Sequence, residues 1–137
     1  IRNPNSTRPW QHVLEPLRGY LMLGSFINNN RQEKEGLSSI SFNFGPRTDD
    51  VIKVEEVVKI FSNYWDFAEY KIEPSKDVAE AGLLNLSYDK ALNYLNWKPK
   101  LNAKNSIKLT AEWYLAQIKG IAMLDFSTAQ IKYYSDL

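Results

Sequence analysis

The segment NPNSTRPWQHVLEPLRGYL, residues 3–21, changes character halfway along its length. Pro4 and Pro9 favour an extended chain over residues 1 to 13, because proline lacks the amide hydrogen that a helix requires. From the third proline onward, apolar residues recur at helical spacing, and proline is accepted in the first turn of a helix. The predicted inward face of this helix consists of Leu14, Leu17, Leu21, Gly24 and Ile27. The segment therefore predicts an extended stretch followed by a helix over residues 16 to 28.

Three stretches are interpreted as short β-strands. SISFNFG, residues 39–45, places its isoleucine and its two phenylalanines on one side of an extended chain. Residues 69 to 73 and 83 to 86 are also interpreted as short strands. These strands are too few and too short for a complete doubly wound sheet.

The other periodic segments favour helices. Ser87 is a suitable N-cap for a short helix, and Asn102 is a suitable N-cap for a long helix over residues 103 to 119. A last short helix is predicted after Ser127. A further helix is predicted from the apolar face Val54, Val57, Val58, Phe61, Tyr64 and Trp65. The short helix after Ser87 carries Ala91, Leu92 and Leu95. The long helix after Asn102 has the inward face Ile107, Ala111, Tyr114 and Ile118. We therefore expect one mostly helical α/β domain spanning residues 1–137.

The composition excludes several kinds of site. The chain has no cysteine, which excludes disulfides, thiol catalysis and thiolate ligands, and its one histidine is too few for an ordinary zinc site. A net charge of +1 favours neither a nucleic-acid surface nor an acidic tail. No run of about 18 apolar residues is present, and no signal peptide is visible. We therefore expect a cytoplasmic protein that binds no metal, nucleic acid or membrane.

The extended part of the opening segment carries three side chains with binding chemistry. In an extended chain Arg8, Trp10 and His12 share one face. Arginine pairs bidentately with phosphate, tryptophan offers a flat apolar surface, and histidine donates or accepts hydrogen bonds. Together they suit a phosphorylated ligand that contains a ring. The alternative is structural: Arg8 pairs with a surface carboxylate, while Trp10 and His12 belong to the core.

Several motifs of the chain together resemble one enzyme family. IRNPNSTRPWQHVLEPLRGYL, residues 1–21, resembles the segment R-N-P-x-x-x-R-P-W-Q-H-V-L-E-P-L-x-G-Y-L of CDP-glucose 4,6-dehydratases, which are extended short-chain dehydrogenases/reductases. FNFGP at 42–46, EAGLLNLSYDKALNYLNWKP at 80–99 and TAEWY at 110–114 resemble further motifs of that family. The resemblance thus spans nearly the whole chain.

The chain departs from the family pattern at four positions. Asn96 stands where the family often has glycine, Ser87 and Asp89 replace an aspartate and a serine, and Ala79 replaces a frequent histidine. These departures leave the base and sugar specificity open.

The resemblance implies a fold and a reaction. It implies that the chain is the C-terminal substrate-binding part of an NAD-binding Rossmann protein whose N-terminal domain, with the catalytic Tyr-x-x-x-Lys pair, is missing here. In the complete enzyme, hydride passes from C4 of the sugar to NAD, water leaves across C5 and C6, and hydride returns to C6. The product is a CDP-4-keto-6-deoxyhexose, a precursor of the deoxysugars of surface polysaccharides such as the O-antigen of lipopolysaccharide. The six glycines form no glycine-rich loop, so this piece alone is expected to bind no NAD and to be inactive as a lyase.

The resemblance also implies which residues bind the CDP-sugar. Arg8 matches the position at which related enzymes place an arginine on the diphosphate. Trp10, Gln11 and His12 match the same motif, and they either contact the nucleotide or brace the segment against the cofactor domain. Arg2 and Asn3 are expected to flank the ligand, whereas Glu15 and Arg18 are interpreted as surface charges near the pocket.

One motif has the spacing of a catalytic pair, but we do not interpret it as one. Tyr94 to Lys98 spells Tyr-x-x-x-Lys, but Pro99 disfavours helical geometry at Lys98, and a helix is what brings the two active groups together. We therefore interpret Tyr94 and Trp97 as packing residues.

Two alternatives stay open. The fold could act on another sugar nucleotide as an epimerase or a different dehydratase, or the chain could be a non-catalytic nucleotide-binding module. An upstream in-frame segment with G-x-x-G-x-x-G and Tyr-x-x-x-Lys would exclude the second. The complete enzyme is expected to be a homodimer, whereas this piece alone is expected to self-associate non-natively through apolar surface.

Overall fold

Five helices form the described part of the chain. The computed structural model describes residues 1–30, 41–65, 67–73 and 84–137. The helices, in chain order, are α1 (Leu14–Asn29), α2 (Val54–Ser62), α3 (Asp89–Leu95), α4 (Ala103–Ile118) and α5 (Met123–Asp136). Helix α1 contacts α3, and α4 contacts both α2 and α5. None of the helices in these described ranges is long and apolar enough to cross a membrane.

The predicted helix starts are confirmed where the sequence supplies a cap. Asn102 lies ahead of α4, and its Oδ1 accepts a hydrogen bond from the amide of Asn105 at 2.8 Å. Ser87 Oγ accepts from the amide of Asp89 at 3.2 Å, at the start of α3. Both bonds satisfy amides that a helix leaves without an internal partner. Helix α5 has no side-chain cap, and it begins at Met123, so the predicted start after Ser127 was wrong.

The prediction of strands is not confirmed. Residues 41–45, 69–73 and 84–86 form no strand, while residues 39, 40 and 83 lie outside the described residues. Within the described chain, strand-like pairing is limited to one antiparallel bridge, between Thr7 and Lys53. The described part of the chain is therefore mostly helical, as expected, and its residues of the predicted strands are not in a sheet.

One hydrophobic cluster of the described residues lies between α1 and α3, and a second one contains Leu101, Leu109 and Tyr134. Trp97 is completely buried, and its ring makes edge contacts with Phe44 and Tyr88 at centroid distances of 5.0 and 5.8 Å. Gly19 of α1 lies against the same Phe44: a Cβ on Gly19 would come within 2.4 Å of the Phe44 ring. The other members of this first cluster are Ala91 and Leu95, with Met22, Leu23, Phe26 and Phe42 packed around them.

Two predicted inward faces are confirmed only in part. In α1, Leu17, Leu21 and Ile27 are exposed, and Leu21 keeps 77% of its surface accessible. In α4, Ile107 and Ala111 are buried as predicted, but Tyr114 and Ile118 are exposed. Helix α1 carries apolar residues on more than one side, so the helical spacing alone does not identify the side that is buried.

The turn after α3 explains one departure from the family pattern. Asn96 has φ of 51°, in the left-handed region, and its amide donates to Leu92 O at 2.9 Å. Glycine and asparagine are the residues that adopt this conformation most readily at a helix end. Asparagine at this position therefore preserves the backbone that a glycine would give.

Candidate functional site

The opening segment crosses the start of α2. Ser6 O accepts a hydrogen bond from the amide of Val54 at 2.9 Å, and Pro4 O accepts from the amide of Glu55 at 3.1 Å. Both amides belong to the first turn of α2, where a helix has no internal acceptors for them. The segment is therefore fixed by the backbone at residues 4 to 7, immediately before Arg8.

Arg8 and Trp10 are half-buried where the segment turns. The Arg8 Nη1 donates to Thr7 O at 2.7 Å, and the amide of Trp10 donates to Arg8 O at 2.8 Å. The second bond closes a tight turn, so the regular alternation predicted for an extended strand is interrupted here. Trp10 Nε1 is buried and has no hydrogen-bond partner within the described ranges.

The side chains of Gln11 and His12 both make hydrogen bonds. Gln11 Nε2 donates to Phe44 O at 2.8 Å, which ties the segment to the core cluster. His12 is buried, and its Nδ1 accepts a hydrogen bond from the amide of Leu14 at 3.4 Å. Burial lowers the pKa of His12 below its usual range, because a charged imidazole loses water there. The neutral ring with Nδ1 as acceptor carries its proton on Nε2.

A cavity opens beside these two residues. Its volume is about 510 Å³, which lies in the range of small-molecule sites. The residues that line it come from the end of the opening segment, α4 and α5: Gln11, His12, Val13, Leu14, Thr110, Trp113, Tyr114, Ser127, Gln130 and Ile131. Every one of these side chains is uncharged or, for His12, kept neutral by burial. Among the described residues, the lining therefore suits a neutral or apolar group and supplies no countercharge for a phosphate.

The six predicted site residues do not gather in that cavity. Gln11 and His12 line it, whereas Arg8 and Trp10 lie ahead of it on the segment. Arg2 is exposed, and Asn3 is half-buried with its carbonyl accepting from the amide of Ser6 at 3.4 Å. Of the six predicted site residues, only Gln11 and His12 therefore line the cavity.

Glu15 was predicted on the surface, and that prediction was wrong. Its side chain is completely buried. Its Oε1 accepts from the amides of Lys100 and Leu101 at 2.8 and 2.7 Å, and its Oε2 accepts from the hydroxyl of Tyr134 at 2.7 Å. Arg18 Nε donates to the same Tyr134 oxygen at 3.0 Å. Burial and the contact with Glu15 raise the pKa of Tyr134 well above its usual range.

Sequence reasoning missed this cluster because a lone glutamate on a helix is usually solvated. One signal for a special role of Glu15 was present in the sequence. Glu15 lies three residues after His12, inside the stretch that matches the family motif. The packing role predicted for Trp97 is confirmed, and Arg18 lies over its ring at 5.6 Å. Tyr94 is largely exposed, although its ring contacts Phe42 at 6.0 Å. Helix α3 ends at Leu95, so Lys98 does not share a helix with Tyr94.

Among the described residues, no group of three or more His, Asp or Glu side chains could hold a metal ion. Asp49 pairs with Arg47 at 2.8 Å on the surface, and Asp50 accepts a hydrogen bond from the amide of Ala103 at the start of α4. These acidic groups have structural partners, and they form no paired acid and base.

Comparison with known proteins supports the resemblance drawn from the motifs. No protein-family model matches the chain. A CDP-glucose 4,6-dehydratase of Salmonella typhimurium is 38% identical to it over 136 residues. The match takes in 98% of this chain and 36% of the Salmonella protein, so the chain spans about a third of the length of that relative. The sequence resemblance is thereby confirmed: over nearly all of its length, this chain is related to the C-terminal part of a CDP-glucose 4,6-dehydratase.

Proposed function

We propose that this chain is the sugar-nucleotide-binding part of an enzyme that dehydrates CDP-glucose to a CDP-4-keto-6-deoxy sugar. The observation that carries the proposal is the 38% identity to a CDP-glucose 4,6-dehydratase over 98% of the chain. Both the reaction and the use of NAD belong to the proposal. The 137 residues contain no glycine-rich loop that fits NAD, so the cofactor is assigned to the remainder of the enzyme.

Within this proposal, the opening segment is one wall of the substrate site. Arg8 supplies the positive charge for the diphosphate, since a guanidinium forms charge-assisted bonds with phosphate oxygens. Trp10, Gln11 and His12 contact the nucleotide or hold the segment, and Arg2 and Asn3 flank the ligand. The backbone bonds from Ser6 and Pro4 to α2 support this role, because they fix the chain directly ahead of Arg8.

The decisive experiment is turnover of CDP-glucose with NAD by the full-length protein that carries this chain. We expect a 4-keto-6-deoxy product, and we expect CDP-glucose to be preferred over UDP-, dTDP- and GDP-glucose. No turnover of CDP-glucose by a folded, NAD-bound protein would contradict the proposal. Preference for another nucleotide would contradict the base assignment and favour the related epimerases and dehydratases.

The role of Arg8 is tested by Arg8→Ala. Loss of a charge-assisted hydrogen bond weakens binding by roughly ten- to a hundredfold. Arg8→Lys keeps the charge but loses the planar fork, so an intermediate loss is expected. Arg47→Ala is the matched control, because Arg47 is exposed and pairs with Asp49. Equal affinity for CDP in Arg8→Ala and the control would contradict the phosphate role.

A further inference from the structure

Tyr134 joins α5 to α1 at a buried point. Its hydroxyl donates to Glu15 Oε2 and accepts from Arg18 Nε, so the last turns of α5 are bonded to the first turns of α1. Lys100 strengthens the same junction, because its Nζ donates to Tyr134 O and Ser135 O at 3.1 and 3.0 Å. These two carbonyls lie at the end of α5, where a helix leaves carbonyls without internal partners.

This junction between α1 and α5 lies next to His12. The amide of Glu15 donates to His12 O at 3.0 Å, so the residue that receives the Tyr134 bond also fixes the backbone of His12. Helix α5 contributes Ser127, Gln130 and Ile131 to the cavity that His12 lines. A shift of α5 against α1 would therefore change the position of one cavity wall relative to the segment.

We propose that Tyr134 is a positioning residue for nucleotide binding, which couples the docking of α5 to the geometry of residues 8 to 12. The inference rests on the proposed function, since it assigns the nucleotide to that segment. If the segment binds its ligand in one position, loosening the junction lowers the population of competent molecules and with it the apparent affinity. The coupling is reciprocal, so bound ligand also stabilises the end of α5.

The test uses Tyr134→Phe in the full-length protein, with CDP as the probe. Phenylalanine keeps the ring and removes the hydroxyl. Tyr133→Phe is the matched control, because Tyr133 is the neighbouring residue on α5 and is half exposed. We expect Tyr134→Phe to weaken CDP binding by about three- to tenfold, the usual effect of one hydrogen bond. We expect Tyr133→Phe to bind CDP as the wild type does.

A second measurement separates positioning from simple stability. Hydrogen exchange of the α5 amides is followed with and without CDP, at a temperature where circular dichroism shows both variants to be folded. In the wild type, CDP is expected to slow exchange at residues 131 to 136, and in Tyr134→Phe this protection is expected to be lost. A hydroxyl that only stabilised the fold would lower the melting temperature and leave both the CDP affinity and the CDP-induced protection unchanged.

The possible failures can be told apart. If the wild type does not bind CDP, the proposed function is overturned and the positioning role with it. If the wild type binds CDP and Tyr134→Phe binds it equally well, only the positioning role is overturned. Should Tyr134→Phe not fold, Lys100→Met is measured instead, because it removes the Nζ bonds to the same helix end and keeps the backbone amide that donates to Glu15. It is expected to weaken CDP binding in the same direction, and unchanged affinity in that variant would overturn the positioning role.

Discussion

The hydroxyl of Tyr134 lies 2.7 Å from Glu15 Oε2, and this bond joins residues that are 119 positions apart in the chain. Glu15 is completely buried, and it also accepts from two backbone amides, one of them the amide of the buried Leu101. A carboxylate in this position is stable only because each of its bonds replaces a lost contact with water.

The first prediction concerns Glu15→Ala. It leaves the amides of Lys100 and Leu101 and the hydroxyl of Tyr134 without their acceptor, and each unsatisfied buried group costs about 1–3 kcal/mol. We expect the free energy of unfolding to fall by at least about 2 kcal/mol, as measured by urea denaturation. Glu69→Ala, at an exposed position, is the control. Equal stability of the two variants would show that the Glu15 cluster contributes nothing to the fold.

The second prediction compares two glycines of α1. At Gly19 an added Cβ would meet the buried ring of Phe44 at 2.4 Å, whereas at the exposed Gly24 it would meet nothing within 4 Å. We expect Gly19→Ala to destabilise the protein by about 1–3 kcal/mol through overpacking. We expect Gly24→Ala to stabilise it by about 0.5–1 kcal/mol, because alanine is the better helix former. Thermal melts of the two variants should therefore shift in opposite directions, and shifts of the same sign would contradict the packing of α1 on Phe44.

The third prediction compares Tyr94, in the last turn of α3, with Trp97, which follows that helix. Trp97 is completely buried between Phe44 and Tyr88, so Trp97→Ala is expected to cost about 3–5 kcal/mol. Tyr94 is largely exposed and makes one ring contact, with Phe42, so Tyr94→Ala is expected to cost about 1 kcal/mol or less. Chemical denaturation measures both. A larger loss at Tyr94 than at Trp97 would contradict the position of the core.

The fourth prediction is a dependence of stability on pH. The pKa of His12 is lowered in the folded state, so near and below the ordinary value of 6.5 the unfolded chain binds the proton more readily. The stabilising effect of a neutral His12 is fully present above pH 6.5 and is lost as the pH falls towards the lowered pKa. The slope is at most about 1.4 kcal/mol per pH unit. His12→Asn retains an acceptor for the amide of Leu14 and should remove this slope.

His12 is the one histidine of the chain, which makes a direct check possible. Its imidazole resonances, followed by NMR through an acid titration, should change at a pH below 6.5. A midpoint at or above 6.5 would contradict the burial of the ring.

The sequence predicted the helices well and their orientation less well. Asn102 and Ser87 located two helix starts because a capping side chain is a local signal. The buried side of α1 depends on Phe44 and Trp97, which lie far along the chain, so spacing alone selected the exposed Leu17 and Leu21. Phe44 is buried as an apolar alternation predicts, but Gln11 rather than a neighbouring strand pairs with its carbonyl.

For the candidate site, the sequence predicted the residues of the opening motif but not the other walls of the cavity. The resemblance to the family is confirmed over 98% of the chain, and two of the predicted site residues, Gln11 and His12, line a cavity. The aromatic wall from Trp113 and Tyr114 and the polar residues of α5 required the packing of three elements, which no local pattern encodes. Arg8 does not line that cavity, and the turn closed by the amide of Trp10 interrupts the extended chain that the sequence predicted.

The position of the Tyr134 bond has a consequence for folding during synthesis. Glu15 is translated before its phenol partner, which follows 119 residues later. Until then α1 carries a carboxylate that cannot be buried without cost, so the nascent chain has reason to keep that helix solvated. Such long-range closure slows folding. The last turns of α5 therefore complete the Glu15 cluster, and a chain that stopped before Tyr134 would leave this buried carboxylate without its phenol partner.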